Sequence, residues 1–225
     1  MPSRYELLVF DLDGTLIDST LDLALSVNAT RAQAGLPPLG IPRISSYIGN
    51  GAEMLIRRSL GRGAAEVSVR RGLEFFLRYY RDHMLDNTAL YPGVREALGD
   101  WRAEGAEMAV LTNKPVRFSA ALLAGLGLAG WFSRIYGGNS FATKKPHPHG
   151  LRRIMSELGY GRERTLMVGD SAVDVLTARN AGTACAGVRY GIRPESFARH
   201  PPDILVDDLR ELAARIGGRA VTGGD

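Results

Sequence analysis

Apolar residues along the chain fall into two alternating patterns. Short, mostly apolar runs at Leu7–Phe10, Met108–Thr112, Arg134–Tyr136, Thr165–Val168, Cys185–Val188 and Ile204–Val206 have the length of buried strands and give way to Asp, Asn or Gly. Between them, Val94–Ala103, Val116–Leu126, His149–Leu158 and Val173–Ala181 repeat their apolar positions at helical spacing. Alternation of this kind predicts an α/β fold: a doubly wound, Rossmann-like parallel sheet covered by helices on both faces.

Residues 19–90 break the alternation and contain no convincing strand. Thr20–Ala34, Gly51–Leu60 and Ala65–Leu85 read as helices, the last with Leu73, Phe76, Leu77, Tyr80 and Met84 on one face. Ser19 and Asp22 have the spacing of a capping box for the first helix, Gly35 can end it, and Asn50 can cap the second. Tyr91-Pro92-Gly93 marks the return to the alternating pattern. The expected division is therefore a core made of residues 1–17 and 91–225, with a helical cap, 18–90, inserted after the first strand. Phe75, Phe76, Tyr79 and Tyr80 read as packing within that cap, Trp101 and Trp131 as core or surface anchors, and the Gly-rich tail Gly217–Asp225 as frayed.

Composition narrows the function. At 45% hydrophobic and 23% charged residues the chain can bury a core, which excludes a disordered or collagenous protein. The single cysteine, Cys185, cannot pair within the chain and reads as a small buried hydrophobe; this fits a reducing compartment. No apolar run approaches the roughly 18 residues of a membrane span, and the N-terminal stretch lacks the form of a secretory signal, so a cytoplasmic protein with no membrane partner is expected. The net charge is only +4 and the arginines are scattered, which argues against a nucleic-acid partner. The cations are unevenly chosen: 25 are arginine and three are lysine, at Lys114, Lys144 and Lys145.

Open parallel sheets bind ligands outside the carboxyl ends of their strands. Asp11-Leu12-Asp13-Gly14-Thr15 follows the first strand, Thr112-Asn113-Lys114 the second, and Asp170-Ser171 the fourth, with Asp174 one helical turn on; Lys144-Lys145-Pro146 precedes a helix. Converging carboxylates suit a hard cation such as magnesium, and a carboxylate can itself attack phosphorus. Lysine and a helix N-terminus can neutralise the anionic charge such an attack brings together. Ser171 and Asp174 also fit a capping box. Lys114 and Lys144 read as solvated loop charges, Asp18 as a hinge or capping residue, and His147 and His149 as loop residues.

Asp11 through Thr15 resembles the first motif of the haloacid dehalogenase-like superfamily, Thr112-Asn113 its second, Lys145-Pro146 its third, and Gly169-Asp170-Ser171 through Asp174 its fourth. The helical insert resembles the superfamily's first-type cap. The resemblance implies that Asp11 is a nucleophile forming an aspartyl phosphate and that Asp13 is the acid and then the base. Thr112 and Asn113, by backbone or side chain, would bind the phosphoryl group, and Lys145 would neutralise charge. Magnesium would lie on Asp11, the Asp13 carbonyl, Asp170 and Asp174, the last as ligand or indirect support. Tyr47-Ile48-Gly49-Asn50-Gly51 resembles the matching segment of bacterial phosphoglycolate phosphatases, as does Gly137-Gly138 followed by Lys145-Pro146-His147-Pro148. That implies hydrolysis of 2-phosphoglycolate, with the turn at Gly49, Asn50 and Gly51 closing over its carboxylate.

The partner expected is thus a small phosphorylated metabolite, for a monomer or homodimer. The same resemblance covers phosphatases of pyrophosphate, sugar phosphates or nucleotides, and phosphomutases, whose Lys-Gly and Ser-Arg cap signature is not visible here. Asp13 argues against the dehalogenases. The absence of lysine from residues 1–113 argues against Schiff-base phosphonoacetaldehyde hydrolysis. A non-enzymatic receiver-like switch is disfavoured by Asp13 and by the insert.

Overall fold

The computed structural model describes residues 5–217. Most of the Gly-rich tail expected to fray, 218–225, lies outside them. In chain order, β1 (Leu7–Phe10) and a two-residue β2 (Ile17–Asp18) lead into α1 (Thr20–Gln33), α2 (Ile41–Ser45), α3 (Ala52–Leu60) and α4 (Glu66–His83). The chain returns through β3 (Ala89–Leu90) to α5 (Val94–Ala103), β4 (Glu107–Leu111), α6 (Val116–Gly125) and β5 (Arg134–Tyr136). It then continues as α7 (His149–Leu158), β6 (Thr165–Gly169), α8 (Ala172–Ala181), β7 (Ala184–Val188), β8 (Ile204–Val206) and α9 (Leu209–Ile216).

Six strands form one parallel sheet in the order β5-β4-β1-β6-β7-β8, as the alternation predicts. Each of its faces has its own core. Leu8 and Phe10 of β1 point with Val110 and Val168 toward Leu98 and Trp101 of α5. Leu7 and Val9 point the other way, with Ala109 and Met167, toward Leu151 and Ile154 of α7 and Val175 of α8. Burial on both sides is why these strands read as continuous apolar runs. Cys185 lies in the second core, its thiol pushed up by burial.

The register positions the chemistry. Phe10 stands beside Val110 on one side and Val168 on the other. One or two residues further, Asp11, Thr112 and Asp170 leave three adjacent strands at nearly one level.

Between β2 and β3, which pair antiparallel as Ile17 with Leu90 and Asp18 with Ala89, the chain builds four helices away from the sheet. α4 packs on α1 and α3, and α2 on α1. The short α2, the β2–β3 pair and α9 add to the predicted elements. Gly35 follows α1 at φ +68°, as a terminating glycine does. The expected Ser19–Asp22 capping box is not made, because both side chains are drawn to tertiary partners. Ser19 Oγ donates to Asp13 Oδ1 (2.5 Å), while Asp18 Oδ1 accepts from the Thr20 N–H (3.0 Å) at the helix start. The buried Asp22 carboxylate accepts from Asn87 N–H, Asn87 Nδ2, Thr88 N–H and Thr88 Oγ1, at 2.7–3.1 Å. Burial raises its pKa, but those bonds outweigh it and hold the carboxyl below the ordinary value. Asp22 thus ties the first turn of the helical segment to its last loop. Asn50 does not cap α3 either: Gly51 takes that position, and Asn50 Oδ1 accepts from Arg58 Nη1 (2.9 Å).

Candidate active site

Asp11 is the first residue beyond β1. Its Oδ1 accepts from the Leu12 N–H (2.7 Å) and lies 2.9 Å from Lys145 Nζ. Among the described residues nothing donates to its Oδ2. Lys145 Nζ also donates to Asp174 Oδ1 (2.6 Å), so one buried ammonium joins two buried carboxylates. The other Asp174 oxygen accepts from the N–H and hydroxyl of Ser171 (3.2 and 2.9 Å), completing the capping box that opens α8. Helix capping and site building are therefore one interaction. Asp170 turns its Oδ2 to the N–H groups of Ile192 (2.7 Å) and Arg193 (3.1 Å). Gly14 is required here, since a Cβ on it would come within 2.3 Å of Asp170 Oδ2 and its φ is +84°.

Charge explains the poise of these groups. Burial pushes Asp11 up to about 6; Lys145 pulls against this and Asp174 adds to it. Burial, then the Asp174 and Asp11 charges, also raise Asp170. Lys145 is depressed by burial but raised further by Asp11 and Asp174, and stays cationic. Three carboxylates lie together with one lysine, which pairs with two of them, leaving the cluster short of positive charge. The ligand atoms of Asp11, Asp170 and Asp174 lie within 4.8 Å of one another. Buried oxygen donors in such charge excess fit a hard divalent cation. The Asp13 carboxylate lies outside this cluster.

Asp13 has its own cation. Lys114 Nζ donates to Asp13 Oδ1 and Oδ2 (3.0 and 3.1 Å) and to the Tyr80 hydroxyl of α4 (2.8 Å). Lys114 was expected in solvent; it is buried, and burial lowers its pKa less than Asp13 and Tyr80 raise it. Tyr80 is a packing residue, stacked on Phe76 of its own helix and edge-on to Phe118 of α6. Its hydroxyl, pushed up to about 12 chiefly by burial, also reaches the site. The available signal was the scarcity of lysine in so arginine-rich a chain. Of the three lysines only Lys144 is exposed, along with His147 and His149.

Thr112 lines the cavity, and its Oγ1 accepts from the Lys114 N–H (3.3 Å). The Asn113 side chain is fully committed elsewhere. Its Nδ2 donates to Gly49 O (2.9 Å) and Lys145 O (3.1 Å), and its Oδ1 accepts from the Lys145 N–H (3.0 Å). Only the Asn113 backbone remains for a ligand. Gly137 and Gly138 give this loop room: a Cβ on Gly138 would fall 2.3 Å from Asn113 O.

These residues enclose a cavity of about 50 Å³ between the strand ends and the helices. Asp11, Asp13, Thr112 and Asp170 form its floor. Leu23, Ile48, Leu55 and Phe76 form an apolar roof, with Gly49 and Gly51 at the rim. Asn50, expected at the substrate, does not line it. Its side chain is turned to Arg58, because the glycines on either side carry the turn past the cavity with positive φ (+109° and +86°). No helix among the described residues is long and apolar enough to cross a membrane.

The family model described as haloacid dehalogenase-like hydrolase matches residues 8–188. A phosphoglycolate phosphatase of Pseudomonas syringae pv. tomato is 42% identical over 215 residues, spanning 92% of this chain and 78% of that protein. Phosphoglycolate phosphatase 1 of Pseudomonas aeruginosa is likewise 42% identical, with the same coverage. A Haemophilus somnus crystal structure described as a predicted phosphoglycolate phosphatase superposes with a TM-score of 0.89 at 33% identity, covering 93% of this chain and 97% of that one. CbbY from Rhodobacter sphaeroides, solved in complex with phosphate, superposes at 0.72 with 26% identity, covering 92% and 96%. Sheet order, strand-end carboxylates and these likenesses agree, and the chain belongs to the haloacid dehalogenase-like hydrolase family.

Proposed function

We propose that the chain is a magnesium-dependent phosphomonoesterase whose substrate is 2-phosphoglycolate. The observation that carries the chemistry is Asp11: buried, held through Oδ1 by Leu12 and Lys145, and open at Oδ2 toward a cavity with Asp13 on the same floor. The substrate rests on the names of relatives about 42% identical.

Asp11 Oδ2 attacks phosphorus as the bond to the alcohol oxygen breaks, giving an aspartyl phosphate. Asp13 gives a proton to the departing oxygen, then takes one from the water that releases phosphate. Lys114 and Ser19 hold Asp13 in place, while Lys145 fixes Asp11. The Thr112 hydroxyl and Asn113 backbone hold phosphoryl oxygens. A magnesium ion held by Asp11, Asp170, Asp174 and the Asp13 carbonyl would offset the negative charge gathered there. The same reading divides the chain into a core, 1–17 and 91–225, and a cap, 18–90; the β2–β3 pair at the crossing and the apolar roof over the floor support it.

The test is phosphate release, with and without magnesium, from 2-phosphoglycolate, pyrophosphate, glucose phosphates, nucleoside monophosphates and p-nitrophenyl phosphate. A kcat/KM at least tenfold higher for 2-phosphoglycolate, worth about 1.4 kcal/mol, is expected. Equal turnover of all would remove the substrate assignment. No release with magnesium present would remove hydrolysis.

A further inference from the structure

A second, larger cavity of about 830 Å³ opens beside the first on the outer side of α2 and α3. Arg43, Arg57, Arg58, Arg62 and Arg193 line it. Arg57 is neutralised by Glu53 and Glu66. Among the described residues, Arg43, Arg58 and Arg62 have no carboxylate partner: Arg43 donates to the Tyr47 hydroxyl and Arg58 to Asn50 Oδ1. In a chain whose net charge is only +4, this is a local excess of positive charge.

Arg193 alone among these arginines lines both cavities. Its N–H is tied to Asp170 Oδ2 (3.1 Å), which fixes its backbone against the acidic cluster. Its side chain is held far less well. Among the described residues its Nε has no hydrogen-bond partner, and its one carboxylate neighbour is a long ion pair to Glu195 Oε1 (3.7 Å), itself 70% exposed. The side chain is 30% exposed, but a buried Nε donor left unmade is costly unless a ligand completes it. The apolar roof supplies no cation of its own. Of the two cations lining the smaller cavity, Lys114 is paired with Asp13, which leaves Arg193 to meet a second anionic group.

We propose that Arg193 receives a carboxylate on the alcohol side of the phosphomonoester, and that the cleft lined by Arg43, Arg58 and Arg62 is the electropositive approach to it. This rests on the phosphatase reading above and specifies how it selects substrate.

The test uses pairs matched except for the carboxylate: 2-phosphoglycolate with 2-hydroxyethyl phosphate, and 3-phosphoglycerate with glycerol 3-phosphate. Wild-type protein should favour the acid member at least tenfold in kcat/KM. R193Q keeps the backbone donor to Asp170 and should cut that ratio to under threefold, mainly through KM, with R193K restoring part of it. A ratio that is absent in wild type, or survives in R193Q, overturns the proposal. Calorimetric titration of the same pairs with magnesium into Asp11→Asn protein, carrying Arg193 or Gln, reads the preference without turnover. If no phosphate is released from any substrate, hydrolysis fails while this arm still decides Arg193; equal binding of both members by the Arg193 protein, or of neither, overturns it. The triple variant R43Q/R58Q/R62Q should lose severalfold in kcat/KM for acid substrates at low salt and flatten its ionic-strength dependence. An unchanged salt profile overturns the approach role.

Discussion

The floor and the roof of the active-site cavity are built on different principles. Every floor residue leaves a parallel strand, or the helix after it, at a position set by backbone pairing. Lysines from neighbouring loops meet some of these charges, Lys145 those of Asp11 and Asp174 and Lys114 that of Asp13, while Asp170 has only backbone N–H donors. The roof is apolar packing: Leu23 of α1, Ile48 before α3, Leu55 of α3 and Phe76 of α4. The floor is thus expected to determine the reaction and the roof to shape and dry the space above it. Two side-chain hydrogen bonds join the helical segment to the floor and its lysine, Ser19 to Asp13 and Lys114 to Tyr80.

The sharpest way to separate the two is Asp11→Asn, which removes the carboxylate proposed to attack phosphorus. Turnover should fall at least about 10³-fold with an unchanged circular dichroism spectrum; substantial residual activity would exclude a covalent route through Asp11. Lys114→Gln comes next. It leaves Asp13 without its cation, and kcat should drop about ten- to a hundredfold in steady-state assays. Wild-type kcat in that variant would show that Lys114 has no part in the reaction.

Asp22→Asn tests the roof's attachment. Exchanging a carboxylate that accepts four hydrogen bonds for an amide should cost about 2–3 kcal/mol in denaturant unfolding at neutral pH. Because the folded carboxyl titrates below its ordinary value, its contribution is present above the unfolded pKa and is lost as pH falls through the folded one. Wild-type stability should therefore decline in acid more steeply than that of Asp22→Asn. Parallel pH curves would mean the carboxylate is not the tie. The smallest effect is expected at Asn50→Ala, whose side chain faces Arg58: under about twofold in kcat/KM on 2-phosphoglycolate. A tenfold loss specific to that substrate would bring the Asn50 turn back to the carboxylate.

This contrast also explains what could be read in advance. Asp11, Thr112, Asp170 and Asp174 were legible because strand length and the ends of apolar runs place them, with no knowledge of tertiary contacts. The paired helices were legible from spacing for the same reason. Ser19, Asp22 and Asn50 were misread because local capping chemistry competes with distant partners: Asp13 for Ser19, residues 87 and 88 for Asp22, Arg58 for Asn50. Lys114 was missed because an isolated loop lysine carries no periodicity, and its partner Asp13 lies 101 residues away in the chain. Arg193 had no motif at all.

Asn113 makes a different kind of demand on the molecule. Its one amide group holds the Gly49 carbonyl on the roof side and both backbone groups of Lys145 on the floor side. A guest too bulky for the cavity must prop the Gly49 turn away and leave that amide one acceptor short. The enzyme would then read molecular size as a count of hydrogen bonds, registered at the residue that holds the Lys145 backbone. Selectivity against large phosphoesters would need no clash with any side chain, only a broken tether.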